Sequence, residues 1–233
     1  MCAMSPKLLR PRATGFNPRS IANLAAWYDA TDSGSITIAT GVQQWADKSG
    51  NSRHLIQNTT NNQPALVTNS LNGKPVLEFD GSNDALLASF TLAQPVTVFI
   101  VGRWMDVNSG TMFDGQTGNA MRFFRTGASN YAMFAGNPQL TSSNTSPATH
   151  AIHELIYNGA TSDMIRNGTR VGASTSAGTS SATGISVGAF GNGTTDPAKC
   201  QVAHLLVYLR SLTSTERASV RKWLGNLYAI TVA

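Results

Sequence analysis

Residues 74–87 read KPVLEFDGSNDALL, and this stretch decides the fold class. Leu77 and Phe79 alternate with Glu78 and Asp80, Gly81-Ser82-Asn83 follows, and Leu86 and Leu87 resume an apolar run. Alternation interrupted by turn residues predicts a strand, a tight turn and a return strand. Gly81 frees the backbone for positive φ, and the Asp and Asn side chains can close turns onto neighbouring backbone groups. Asp80 and Asp84 thus bracket one corner. Two chemistries fit the pair: plain turn closure, or a Ca2+ (calcium) corner built from carboxylate and carbonyl oxygens. The residues alone leave both open.

A chain of 233 residues can bury a substantial core, and an all-β sandwich of that size is commonly one domain. Only 12% of the residues are charged, while Gly, Ser, Thr and Asn crowd the connections. That balance suits many short strands and argues against both a helical and a disordered chain. The net charge of +5 is modest for this length, so nucleic acid is not the expected partner. The excess is concentrated near the start. Lys7, Arg10, Arg12 and Arg19 all precede the first acidic residue, Asp29. Residues 1–16 therefore read as a basic arm and residues 17–233 as the domain, with these four cations free to meet an acidic protein surface, phosphate or solvent. No apolar run approaches the roughly 20 residues a spanning helix needs, so no membrane contact is expected. The opening MCAMSPKLLRPRATG lacks the apolar core of a secretory signal. Cys2 and Cys200 lie near opposite ends and are expected as free thiols, as in a protein made in a reducing cytoplasm.

Along the chain, Leu24 to Asp29 is an aromatic-rich strand, and Ser35 to Ile38 and Val42 to Trp45 form a hairpin across Ala39-Thr40-Gly41. Asp47 is placed to accept backbone N–H groups from the Ser49-Gly50-Asn51 turn behind it. Val96 to Trp104, Ala120 to Arg125, Tyr131 to Phe134 and His150 to Tyr157 are further strands, and Asn167-Gly168 marks a tight hairpin. Residues 172–184, rich in Ser, Thr, Ala and Gly, read as an exposed loop. The last element differs. Thr213 with Glu216 three residues later fits a capping box, and Val220, Trp223, Leu224 and Leu227 follow at helical spacing.

Three motifs, LAAWYDA (24–30), QWADKSGN (44–51) and GKPVLEFDGSND (73–84), occur in an order that resembles the laminin-G-like modules of the concanavalin A-like lectin and glucanase superfamily. The variant they look most similar to is common in tailed-phage and bacterial structural proteins. VAHLLVY (202–208), followed by RSLT (210–213) and a helix, is similar to the family's closing strand and helix. The resemblance implies an all-β, antiparallel jelly-roll β-sandwich with one C-terminal α-helix. Where the family commonly has an acidic residue in the closing strand, this chain has His204.

Relatives in that superfamily include glycoside hydrolases, which need two carboxylates in a defined spacing. The glutamates here are Glu78, Glu154 and Glu216. The superfamily's hydrolases carry Glu-x-Asp-x-Glu, whereas this chain has Glu78-Phe79-Asp80-Gly81-Ser82, without the third carboxylate. No catalytic residue is assigned. His54 and His204 stand alone, and His150 and His153 fall on opposite faces of a strand, so no zinc spacing arises. A lectin-like sandwich would hold sugar through loop aromatics and amides. Trp104, Asn130 and Tyr131 form the candidate carbohydrate-binding set, although both aromatics also sit in or beside apolar strands where core packing would claim them. Asp80 and Asp84 are the candidate metal ligands.

The expected role is a non-catalytic virion structural protein of a tailed phage, either a capsid decoration or a head-fibre protein. Its arm would dock on phage capsid or tail proteins and its sandwich would face outward on the exterior of the virion, after synthesis in the host cytoplasm. The alternative is a receptor-recognition module of a tail fibre that binds host-surface glycans, and a glycoside hydrolase stands third. A homotrimer would suit either virion position.

Overall fold

The computed structural model describes residues 15–106, 108, 110–127, 129–142, 148–172 and 175–233. Its strands are β1 (Leu24–Asp29), β2 (Ile36–Ile38), β3 (Val42–Trp45), β4 (Leu55–Ile56), β5 (Ala65–Leu71), β6 (Lys74–Asp80), β7 (Leu86–Leu92), β8 (Val96–Trp104), β9 (Gly110–Gly115), β10 (Ala120–Arg125), β11 (Tyr131–Ala135), β12 (Gln139–Thr141), β13 (Ala151–Tyr157), β14 (Asp163–Arg166), β15 (Thr169–Arg170), β16 (Ala182–Val187) and β17 (Lys199–Tyr208). The helix α1 spans Ser214–Tyr228. Two antiparallel sheets face each other. The first runs β15-β14-β13-β8-β17-β6-β5 with β1 also on β17, and the second runs β12-β11-β10-β9-β16-β7-β4-β3-β2. This is the all-β sandwich with a single closing helix that the strand pattern predicts.

Strand β17 is the spine of the first sheet. Along one edge it pairs with β8 from Cys200 to Tyr208. Its other edge is shared end to end: β6 takes Lys199 to Val202, and β1 takes His204 to Tyr208. A register slip between Val202 and His204 turns both Ala203 and His204 to the outer side, where Ala203 joins the helix-side core and the His204 ring lies 5.1 Å from that of Trp223. The inner face of the sheet carries Leu77, Phe79, Val98, Ile100, Leu205 and Val207 into the space between the sheets. Its outer face is covered by α1, whose Val220, Leu224 and Tyr228 pack on Val76, Phe99, Val101, Ile152 and Leu206. Burial on both faces explains why VTVFIVGRW and AIHELIY lack a polar side.

The capping box is present as the spacing predicts: the Glu216 amide donates to Thr213 Oγ1 (3.3 Å), and the Glu216 carboxylate accepts from the Thr213 amide (2.9 Å). Arg210 adds an ion pair to the same carboxylate, and that hydrogen bond holds Glu216 down at about 2. Among the described residues no helix is long and apolar enough to cross a membrane.

Three expectations are corrected. Leu86 and Leu87 do not return alongside β6. β6 lies between β5 and β17 of one sheet, whereas β7 lies between β4 and β16 of the other, so the Asp80 corner carries the chain across the sandwich. Residues 172–184 are not simply exposed: Ala177 is buried and the Ser180 amide donates to the Ala135 carbonyl (2.7 Å), which pins the described part of the segment to β11. Trp27 and Trp223, which as large aromatics in a strand and on an apolar helix face are expected in the core, are half-buried rather than enclosed. They meet edge to face at 6.1 Å, with Phe16 against Trp223 and Lys48 over Trp27.

Since α1 is held by its cap and its apolar face, Thr213→Ala should lower stability by about 1 kcal/mol, and Leu224→Ala, which empties a fully buried site, by about 3 kcal/mol. Urea denaturation checks both; an unchanged midpoint for Leu224→Ala would show that the helix is not part of the cooperative unit.

Candidate functional site

On the outer face of the second sheet, the loop that contains Gly191 folds over part of β9. In β9, Met112 and Phe113 both turn inward into the core, because the pairing with β10 slips between Phe123 and Phe124. Asp114 consequently emerges on the outer side, opposite Ser186 of β16. It is fully buried there by the chain around residues 188–198. Its oxygens accept from three backbone amides: Gly115 (2.7 Å), Asn119 (3.2 Å) and Gly191 (3.2 Å). One carboxylate therefore locks two loops, GQTGN (115–119) and FGNGTTD (190–196), against each other. Glycine is required at their contact, since a Cβ on Gly191, at φ +54, would lie 3.1 Å from the Gly118 Cα. Burial pushes Asp114 up to about 6 despite its three amide donors.

Between the loops lies a cleft of about 330 Å3 lined by Gln116, Thr117, Phe190, Asn192, Thr194 and Thr195. Phe190 is half-buried, and the Arg122 guanidinium sits 4.9 Å from its ring and 4.0 Å from that of Phe124. Arg122 is itself tied down: Nε donates to Thr111 Oγ1 (2.8 Å), and a terminal nitrogen pairs with Asp196. The cleft thus offers a partly exposed aromatic ring on a rigid cationic support, ringed by amides and hydroxyls. Such a set can stack on the apolar face of a sugar ring and hydrogen-bond its hydroxyls.

The sequence-selected residues lie elsewhere. Trp104 and Tyr131 are fully buried and stacked on each other at 5.5 Å, with Phe123 and His153 completing an interior aromatic block. This corrects their assignment as sugar contacts, because strand alternation points both inward and no ligand reaches them from solvent. Asn130 is half-exposed, but it sits in the turn after β10, at the opposite end of that strand from the cleft. At the Asp80 corner, Asp80 Oδ1 accepts from the amides of Ser82 (2.7 Å) and Asn83 (3.2 Å), and Asp84 Oδ2 accepts from the Asp80 amide (2.9 Å). The corner closes on itself through hydrogen bonds, which is the work a cation would otherwise do. Burial raises Asp84 to about 6, an environment that disfavours the charge a metal ligand needs. Among the described residues no group of three His, Cys, Asp or Glu side chains could hold a metal ion.

Arg19 belongs to the domain rather than to a free arm. Asn17 caps its 3-10 turn, and its guanidinium donates to the Lys48 carbonyl, with Nε at 2.8 Å. Lys7, Arg10 and Arg12 lie outside the described residues. The Phe190 cleft escaped sequence reasoning, although both of its loops announce themselves as clusters of Gly, Asn, Gln and Thr, one of them opening on an aromatic.

No protein-family model and no curated protein matches the chain. Solved structures do match its fold. The sialidase of Trypanosoma rangeli superposes with a TM-score of 0.61 at 11% identity, covering 86% of this chain and 33% of the sialidase. The binding domain of Paraclostridial Mosquitocidal Protein 1 superposes at 0.62 and 11% identity, with 86% and 52% covered. The ligand binding domain of botulinum neurotoxin serotype D, solved in complex with N-acetylneuraminic acid, superposes at 0.60 and 8% identity, with 86% and 50% covered. The chain thus spans a third of the sialidase and about half of each toxin structure, and at these identities the likeness is one of fold.

Asp114 yields a signed test. Its folded pKa lies above the ordinary 3.8, so the stability it contributes is full below pH 4 and is lost as the pH rises through 6. Asp84 behaves alike. Burial pushes His150 and His204 down to about 4 and His153 to about 3, and these groups act oppositely, losing stability as the pH falls below 6.5. In Asp114→Asn the stability gap to wild type should therefore shrink by about 2 kcal/mol between pH 4 and 7, and hydrogen exchange should quicken at 115–119 and 190–191. A gap independent of pH would refute the buried, raised carboxyl.

Proposed function

We propose that this chain is a non-catalytic glycan-binding module, and that the cleft between residues 115–119 and 190–196 is where the sugar sits. The observation that carries the reading is Phe190: a half-exposed ring, backed by Arg122 and framed by amide and hydroxyl side chains on two loops that the buried Asp114 holds still. A site preorganised in this way loses little entropy on binding. The fold likeness to toxin binding domains, one of them solved with N-acetylneuraminic acid, supports the same class of ligand. The carboxylates that hydrolysis would need have other work. Glu78 accepts from the Gln201 amide (2.6 Å), Asp80 closes its turn, and Glu154 is buried against Arg221 (2.6 Å).

The resemblance to phage structural modules adds the setting: display on the exterior of a tailed-phage virion, with the basic arm holding phage capsid or tail proteins and host-surface glycans as the outward partner. Capsid decoration, head fibre and tail fibre all meet that description, and a trimer would raise avidity in each.

A glycan array of the full chain should show saturable binding that Phe190→Ala weakens about tenfold at unchanged stability. Binding that is absent, or that Phe190→Ala leaves intact, would remove the cleft from the reading. Deleting residues 1–14 should abolish copurification with virions while sparing sugar binding, and retained virion attachment would dismiss the arm.

A further inference from the structure

A second polar site lies on the outer face of the first sheet, where the helix ends. There α1 covers Val76 of β6, Ala203 of β17, Val101 of β8 and Ile152 of β13. Two residues further along each strand, on the same face and just past the helix, come Glu78, Gln201, Arg103 and His150. A sheet that is apolar on both sides under the helix thus carries a row of four polar side chains at the first position the helix leaves open.

The row is wired in one direction. Gln201 is 3% exposed and its amide is engaged at both ends: Nε2 donates to Glu78 Oε2 (2.6 Å), and Oε1 accepts from Arg103 Nε (2.9 Å) and from Ser70 Oγ (3.2 Å). Glu78 fixes which way the amide faces, and the amide oxygen fixes Arg103 by its Nε. Ion pairs among the described residues belong to Lys48, Arg122, Arg170, Arg210 and Arg221. Arg103 is outside them, and it lines a cleft of about 510 Å3. His150 lines the same cleft beside Gln201, with its Nε2 enclosed by the protein. The helix C-terminus at the rim would repel an anion, and Asn72 Nδ2 offsets part of this by donating to one of its carbonyls, that of Tyr228 (2.7 Å).

The geometry points to a binding site for a small monoanionic ligand bearing a carboxylate, gripped by the Arg103 guanidinium in the cleft whose wall His150 also forms. A guanidinium oriented through Nε presents a fork that matches two carboxylate oxygens. Arg103 is the one cation of the row, beside an imidazole that burial keeps neutral at pH 7 and one amide away from the Glu78 carboxylate, so the site suits at most a single negative charge and disfavours a phosphate dianion. Glu78 and Gln201 are positioning residues here. The inference is independent of the Phe190 cleft, which lies on the opposite outer face of the sandwich.

The test uses the full chain labelled with 15N, titrated separately with D-glucuronate, D-glucose and inorganic phosphate, while the Arg103 Nε–H and His150 ring resonances are followed. Glucuronate should shift both saturably and glucose should not, since the two differ by the carboxylate. Phosphate should bind more weakly than glucuronate. Arg103→Gln should abolish the His150 shift, and Arg103→Lys, which keeps the charge but loses the fork, should weaken glucuronate about tenfold. Glu78→Gln should weaken it several-fold with the Arg103 resonance broadened or displaced in the free protein. No saturable shift with glucuronate, an equal response to glucose, or a His150 shift that survives in Arg103→Gln would overturn the site, and phosphate binding as tightly as glucuronate would overturn the carboxylate assignment.

Discussion

One strand with no free edge and no wet face organises the molecule. β17 is bonded along one side to β8 and along the other to β6 and then β1, and its side chains are buried in two cores at once. A strand in that position tolerates polar side chains only where partners are built for them. Its two conspicuous ones mark where the structure does so. His204 accepts from Trp27 Nε1 at 2.9 Å and meets the Tyr228 hydroxyl at 3.1 Å, which in turn donates to the Ala203 carbonyl. Gln201 engages Glu78, Arg103 and Ser70 through the two ends of its amide. The first polar residue ties the helix to the sheet, and the second aims an arginine.

The same device appears on the other sheet. Asp114 is as completely buried as His204, and its value lies in what it holds rather than in what it touches outside. Both clefts therefore rest on a buried acceptor whose geometry is set by the strands, with the exposed group, Phe190 or Arg103, held one step further out. Sites supported from beneath in this way keep their shape without a ligand.

The strands that read clearly were those whose pattern is local. The Ile36–Trp45 hairpin, the Asn167-Gly168 turn and the Thr213–Glu216 cap depend on residues a few positions apart, and each formed as spaced. Asp47 also met its expected donor, the Ser49 amide at 2.8 Å, but it binds the Trp27 amide at 2.9 Å as well, a partner twenty residues away. The destination of a strand after a turn was not legible: nothing in Gly81-Ser82-Asn83 distinguishes a hairpin from a step between sheets. Site residues failed for a related reason. Trp104 and Tyr131 stand beside loops in sequence, yet the direction of a side chain at a strand end follows from register and bulges. Asp114 faces outward only because β9 slips against β10.

That the central strand comes from residues 199–208 has a temporal consequence. Its neighbours β1, β6 and β8 come from residues 24–29, 74–80 and 96–104, so each edge it will occupy exists in the chain long before the strand that fills it. On the ribosome the first sheet stays split, with unpaired backbone on both sides of the gap, until residues 199–208 emerge. The three pairings of β17, with β1, β6 and β8, all span large sequence separations, the circumstance that slows folding most. Completion of the sheet and arrival of the helix that covers it are then almost one event, and a chain cut short before residue 199 would expose two open edges.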